Sequence, residues 1–137
     1  MSRRLGAVVC IGLASWIAGC GGDGGPHPID ADSLRDCLAK QGGSFGGQRP
    51  GATGYAPLFH LAADLQGRIG GSSIDVFIEK TVEGARRDAA DANGALTSIG
   101  VSDPASSVLR ERNAVVVFEP PPSGSARAAV RDCLTAG

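Results

Sequence analysis

From Asp30 to Gln41, Leu34, Cys37 and Leu38 recur at i, i+3 and i+4, with Asp30 or Asp32 able to cap the start and Gly42 placed to stop the end; the spacing predicts a helix with Cys37 on its apolar face. Leu58, Leu61, Ala62 and Leu65 fall at i, i+3, i+4 and i+7, which predicts a short second helix ending near Gly67. The period then changes. Ile74, Val76 and Ile78 alternate with Asp75, Phe77 and Glu79, the pattern of a half-buried strand over about 73–80. Thr81 can cap a following helix whose apolar stripe is Val82, Ala85, Ala89, Ala92, Leu96 and Ile99, with Gly100 as its stop. Gly94 inside it costs roughly 1 kcal/mol relative to alanine, so the helix ends either at Asn93 or, as expected here, at about Ser98.

Asp103 and Pro104 mark a turn, after which about 107–112 and 114–119 flank Asn113 as a hairpin. Val115 to Phe118 is a continuous apolar run, as in a strand buried on both faces. Pro120 to Pro122 end it, because proline cannot donate to a sheet ladder, and lead into a last helix over about 124–135. Ala126, Ala129, Val130, Cys133 and Leu134 form its apolar stripe. The fold class expected is α+β: a small, mainly antiparallel sheet in two layers, with the helices at about 81–98 and 124–135 covering its core face.

Ahead of all this, Arg3 and Arg4 precede an almost uninterrupted apolar and small-residue run from Leu5 to Ala18, the layout of a secretory signal. The run is too short to span a hydrocarbon core, which needs about 20 helical residues, and a Gly-rich polar stretch follows it. It closes on Ile17, Ala18, Gly19, Cys20: an aliphatic residue, two small residues and a cysteine. This tetrad resembles the lipobox of bacterial lipoproteins. Membership of that family implies cleavage between Gly19 and Cys20, diacylglyceryl attachment to the Cys20 thiol, and acylation of the new amino group with a fatty acid such as palmitate. Two or three acyl chains, at about 0.8 kcal/mol per buried methylene, anchor stably where one binds reversibly. Ser2, Arg3 and Arg4 also resemble the opening of a twin-arginine signal, but Gly6, Ala7 and Val8 stand where that family has a bulky apolar pair, so export through the general pathway is expected.

The expected organisation is therefore a cleaved signal at 1–19, a lipidated Cys20 with a tether at 20–29, and one α+β domain at 30–137. Residues 21–29 would average roughly 15 to 18 Å end to end as a flexible coil, which keeps the domain near the outer face of a bacterial membrane. Among the cysteines, Cys10 leaves with the signal and Cys20 is committed to lipid, so Cys37 and Cys133 remain. Two thiols in an exported domain pair as a disulfide; the alternative is two buried free thiols. Such a bond would clamp the first helix to the last, closing nearly the whole domain, worth up to roughly 4 to 5 kcal/mol in the chain-entropy model. A zinc site would need further Cys or His ligands at suitable spacing.

Composition excludes more than it assigns. The chain carries 13 Lys and Arg against 14 Asp and Glu, and losing Arg3 and Arg4 makes it more acidic, so there is no basic field for nucleic acid. Gly42, Gly43, Ser44, Phe45, Gly46 matches G-x-S-x-G, but it follows a predicted helix and runs into a glycine-rich loop over 42–57, where a nucleophile needs a strand-to-helix turn. The same glycines lack the Lys-Ser/Thr ending of a phosphate loop. His60 and Asp64 would share a helix face at i, i+4, an ordinary exposed polar pair with no nucleophile beside it. His27, between two prolines, reads as a tether residue. No catalytic residue, metal or cofactor is assigned. The function expected is a non-enzymatic, membrane-anchored envelope lipoprotein that binds an envelope protein, a cell-wall component or a secreted protein. The alternatives are a carboxylate-dependent enzyme acting on cell-wall glycans and a purely structural surface protein.

Overall fold

A computed structural model describes residues 27–46 and 61–136. Its elements run α1 (Ala31–Lys40), β1 (Ser44–Phe45), β2 (Leu61–Ile69), β3 (Ser72–Glu79), α2 (Val82–Ser98), α3 (Pro104–Ser107), β4 (Val108–Glu111), β5 (Ala114–Glu119) and α4 (Gly124–Thr135). The five strands form one sheet in the order β1-β2-β3-β5-β4, and every neighbouring pair is antiparallel. The α+β class and the expected first and last helices of the domain are present.

Local chemistry explains the helix boundaries. The Asp30 side chain accepts from the Ser33 amide at 2.9 Å, the Thr81 hydroxyl accepts from Gly84 at 3.0 Å, and the Ser123 hydroxyl accepts from Ala126 at 3.2 Å; each satisfies an amide that the first turn leaves without a partner. Helices α1 and α2 end alike. Gly42 and Gly100, at φ +83° and +88°, turn the chain in the left-handed region that L side chains avoid. Their amides donate to Ala39 and Thr97, while the next amides, Gly43 and Val101, reach back to Leu38 and Leu96. That paired arrangement is a Schellman cap.

One element differs from expectation. Leu61–Ile69 is a strand, not a helix. Ala63, Leu65 and Ile69 are buried on one face, and Gly70 and Gly71 (φ +56° and +89°) make the two-residue turn that returns the chain as β3, with Ile69 opposite Ser72. Both turn positions need positive φ, and a hairpin across them satisfies nine consecutive residues that an isolated short helix could not. The predicted loop at 42–57 is also interrupted, because Ser44 and Phe45 pair with Arg68 and Gly67 as β1. Phe45 lies between Gly43 and Gly67, where any side chain would occupy the space of its ring. The remainder of that loop lies outside the described residues.

The layering differs as well. One face of the sheet carries Ala63, Leu65, Ile69, Ile74, Val76, Ile78, Leu109, Ala114, Val116 and Phe118, and packs against Leu34 and Leu38 of α1 and Val130, Cys133 and Leu134 of α4. The opposite face gathers Val108 and Val115, with half-buried Phe77 and Val117, against Ala85, Ala89, Ala92 and Leu96 of α2. The expected two layers are thus three: α1 with α4, the sheet, and α2 on the far side. A central strand with valines facing both ways requires a layer on each side, and Val115 and Val116 are fully enclosed by them. The two ends of the α2 stripe, Val82 and Ile99, overrun the sheet and are exposed.

Candidate functional site

Cys37 and Cys133 form a disulfide, with Cα atoms 5.7 Å apart and a sequence separation of 96. It joins α1 to α4 on the main-core side. Beside it runs an open, mostly apolar groove of about 360 Å³ lined by Pro28, Ile29, Leu34, Cys37, Cys133 and Ala136. The groove lies where the chain enters the domain from its N-terminal segment.

The opposite side of the sheet holds the acidic chemistry. Glu79 ends β3 with its side chain under the first turns of α2 and is 2% exposed. Its Oε2 lies so near Gly84 that a Cβ there would sit 2.7 Å from it, which is why the helix crosses it at a glycine. Burial pushes the Glu79 carboxyl up to about 7, helped by a hydrogen bond to Asp88 and by that group's charge; Arg87 and Lys80 oppose the shift. Below about 7 Glu79 is largely the acid, with its proton directed toward Asp88. Asp88 Oδ2 is itself buried without a hydrogen-bond partner among the described residues. Further along the same face, burial raises Asp75, with the nearby Asp64 and Glu119 adding to the effect and a hydrogen bond from Gln66 opposing it.

The residues picked out in the sequence meet different fates. Ile17, Ala18, Gly19, Cys20 and His60 lie outside the described residues. Asp64 is on a strand, so the helical i, i+4 pairing with His60 has no helix to carry it. Ser44 is an exposed residue of the short edge strand, preceded by a helix and a turn where a nucleophile elbow needs a strand. His27 is exposed. The Glu79 and Asp88 pair was not visible in the sequence: alternation put Glu79 on the polar face of β3, and only the placement of α2 buries it. No group of His, Cys, Asp and Glu among the described residues could hold a metal ion, and none of the described helices is long and apolar enough to cross a membrane.

Two arginines that resemble surface charges are structural. Arg127 donates to the carbonyls of Ser106 and Val108 at 2.7 and 2.6 Å, closing the end of α3 and covering the outer edge of β4, and its guanidinium stands 6.0 Å from the Phe118 ring centroid. Arg112 turns the β4–β5 hairpin at φ +51° and donates to the Leu134 carbonyl at 3.4 Å.

These features define a disulfide-clamped, three-layer α+β domain with an enclosed carboxyl pair. No family model, curated protein or solved structure matches the chain.

Proposed function

We propose that the chain is an exported lipoprotein held at the outer face of a bacterial membrane by acylated Cys20, whose domain works by binding an envelope protein or cell-wall component. The observation that carries this reading is the Cys37–Cys133 disulfide, a bond that persists in oxidising compartments and is rare in the cytosol. It agrees independently with an N-terminus ending in Ile17, Ala18, Gly19, Cys20. The glycan-hydrolase alternative would need two accessible carboxyl groups flanking a scissile bond. Glu79 and Asp88 are in direct contact and Glu79 is sealed under α2, so this pair can keep a proton but cannot reach a glycosidic oxygen.

Metabolic labelling with an alkyne fatty acid, followed by detergent phase separation, tests the anchor. The expected result is label and detergent partitioning in the wild type, and neither in Cys20→Ser, which accumulates uncleaved. A Cys20→Ser protein that still carries label and runs at the mature size would overturn the reading. Site-specific photo-crosslinking on intact cells tests the binding role: repeated capture of one envelope component is expected, and purified domain that hydrolyses cell-wall glycan would replace this role with the enzymatic one.

A further inference from the structure

We propose that α2 is a proton-dependent element: while Glu79 holds its proton, the first turns of α2 stay docked on the sheet, and loss of that proton loosens them. Glu79 is enclosed by Gly84 and Thr81 above and by the sheet below, and its hydrogen-bond partner Asp88 is on the helix itself. Deprotonation therefore places two carboxylates in contact across the α2–sheet seam, with Asp88 Oδ2 already buried and unbonded among the described residues. Like charges at that separation in a poorly hydrated site repel strongly, and the relief available is for the helix to lift.

The surrounding charges do not cancel this. On α2 the nearby cation is Arg87, and at the end of β3 it is Lys80; both favour the anion, as does the positive end of α2, yet burial and Asp88 outweigh them and Glu79 remains an acid up to about 7. From β4, Arg110 lies on the same face, level with Val115 and Phe77, but is exposed. Neighbouring β5 presents Ala114 and Val115, while β2 places Leu61 opposite Glu79 and, on the same face, the buried carboxyl of Asp64 opposite Phe77, a further acidic group that supplies no cation to offset Glu79.

The response is local because α2 is weakly held. Its contacts are alanines and one half-buried leucine in a cluster separate from the main core, whereas the disulfide and both other long helices act on the opposite face. Elements with few buried apolar contacts open at lower free energy than the whole domain.

Hydrogen exchange at pH 5.5 and 8.5, corrected for intrinsic rates, tests the proposal on the intact domain. With a closed-state value of about 7 and an ordinary glutamate value of 4.5 in the open state, the opening equilibrium for amides of residues 85–92 should rise on the order of 10- to 30-fold between the two conditions. Amides of β3 and β5 should stay level, and Glu79→Gln, which keeps a donor toward Asp88 without a charge, should remove the rise. Level exchange in wild-type α2, an equal rise throughout the domain, or a rise retained in Glu79→Gln overturns the proposal. The wild-type profile decides the matter even if the variant does not fold.

Discussion

Asn113 and Glu79 are joined twice: the carboxamide nitrogen of Asn113 donates to the Glu79 carbonyl at 2.6 Å, and the Glu79 amide donates to the Asn113 carbonyl at 2.7 Å. The remaining carboxamide oxygen accepts from the Ile29 amide at 2.9 Å. One hairpin residue, 3% exposed, thus fastens the end of the central strand to the segment that enters α1. Asn113→Ala strands the Ile29 amide and the Glu79 carbonyl in the interior. At about 1 to 3 kcal/mol for a buried group left unpaired, the substitution should destabilise the domain by roughly 2 to 4 kcal/mol. Urea unfolding followed by circular dichroism measures this; a loss below about 1 kcal/mol would show that the network is replaced by water. Asn113→Asp should be no better, since an oxygen would then face the Glu79 carbonyl.

The disulfide restrains the same region from the other side. Removing it by paired Cys37→Ser and Cys133→Ser should lower stability by about 2 to 5 kcal/mol, because a loop of this length greatly restricts the unfolded chain. Thermal melts with and without reductant provide the check. Reductant should shift the wild type toward the double variant and leave the double variant unchanged.

Much of this fold is legible in the sequence, for identifiable reasons. Helices α1 and α2 announce themselves by a side-chain cap before the stripe and a glycine after it, and Asp30, Gly42, Thr81 and Gly100 occupy those positions in the fold. Leu61–Ile69 reads as a helix in sequence because Leu61, Ala62 and Leu65 satisfy a helical period, while Ala63, Leu65 and Ile69 satisfy the strand period the fold adopts, and only the Gly70-Gly71 turn separates the two. The carboxyl pair was illegible for a different reason. Nothing near Glu79 in sequence says which side of the sheet α2 will cover, and that long-range choice turns a surface glutamate into a buried acid.

Stability should respond to pH with opposite signs at the two ends of the range. The Asp30 carboxylate is held below its ordinary value by the backbone hydrogen bond from Ser33, so its contribution is present above the ordinary aspartate range and lost as pH falls through the lowered value. Glu79 behaves in reverse. Its folded value, about 7, lies above the ordinary 4.5, so the folded state is favoured most below 4.5, loses ground as pH rises from 4.5 to about 7, and levels off beyond. The decline should be on the order of 3 kcal/mol and largely absent in Glu79→Gln. Denaturation midpoints from pH 2 to 9 test both slopes; a wild-type profile that rises between pH 5 and 7.5 contradicts the Glu79 assignment.

Not every glycine here is obligatory. Gly94 sits in the interior of α2 with helical backbone, and a Cβ built on it meets nothing within 4 Å. An alanine there would reduce the freedom of the unfolded chain without a clash, so Gly94→Ala should stabilise the domain by about 0.5 to 1 kcal/mol. Gly67→Ala should do the opposite, because its Cβ would fall on the Phe45 ring and the Ser44 carbonyl and lift β1 off β2. Displacing a packed ring and an edge pairing should cost about 1 to 3 kcal/mol. Paired urea melts of the two variants separate the cases. If Gly94→Ala lowered the midpoint, α2 would not run as one continuous helix through that residue in solution, contrary to its span of Val82–Ser98.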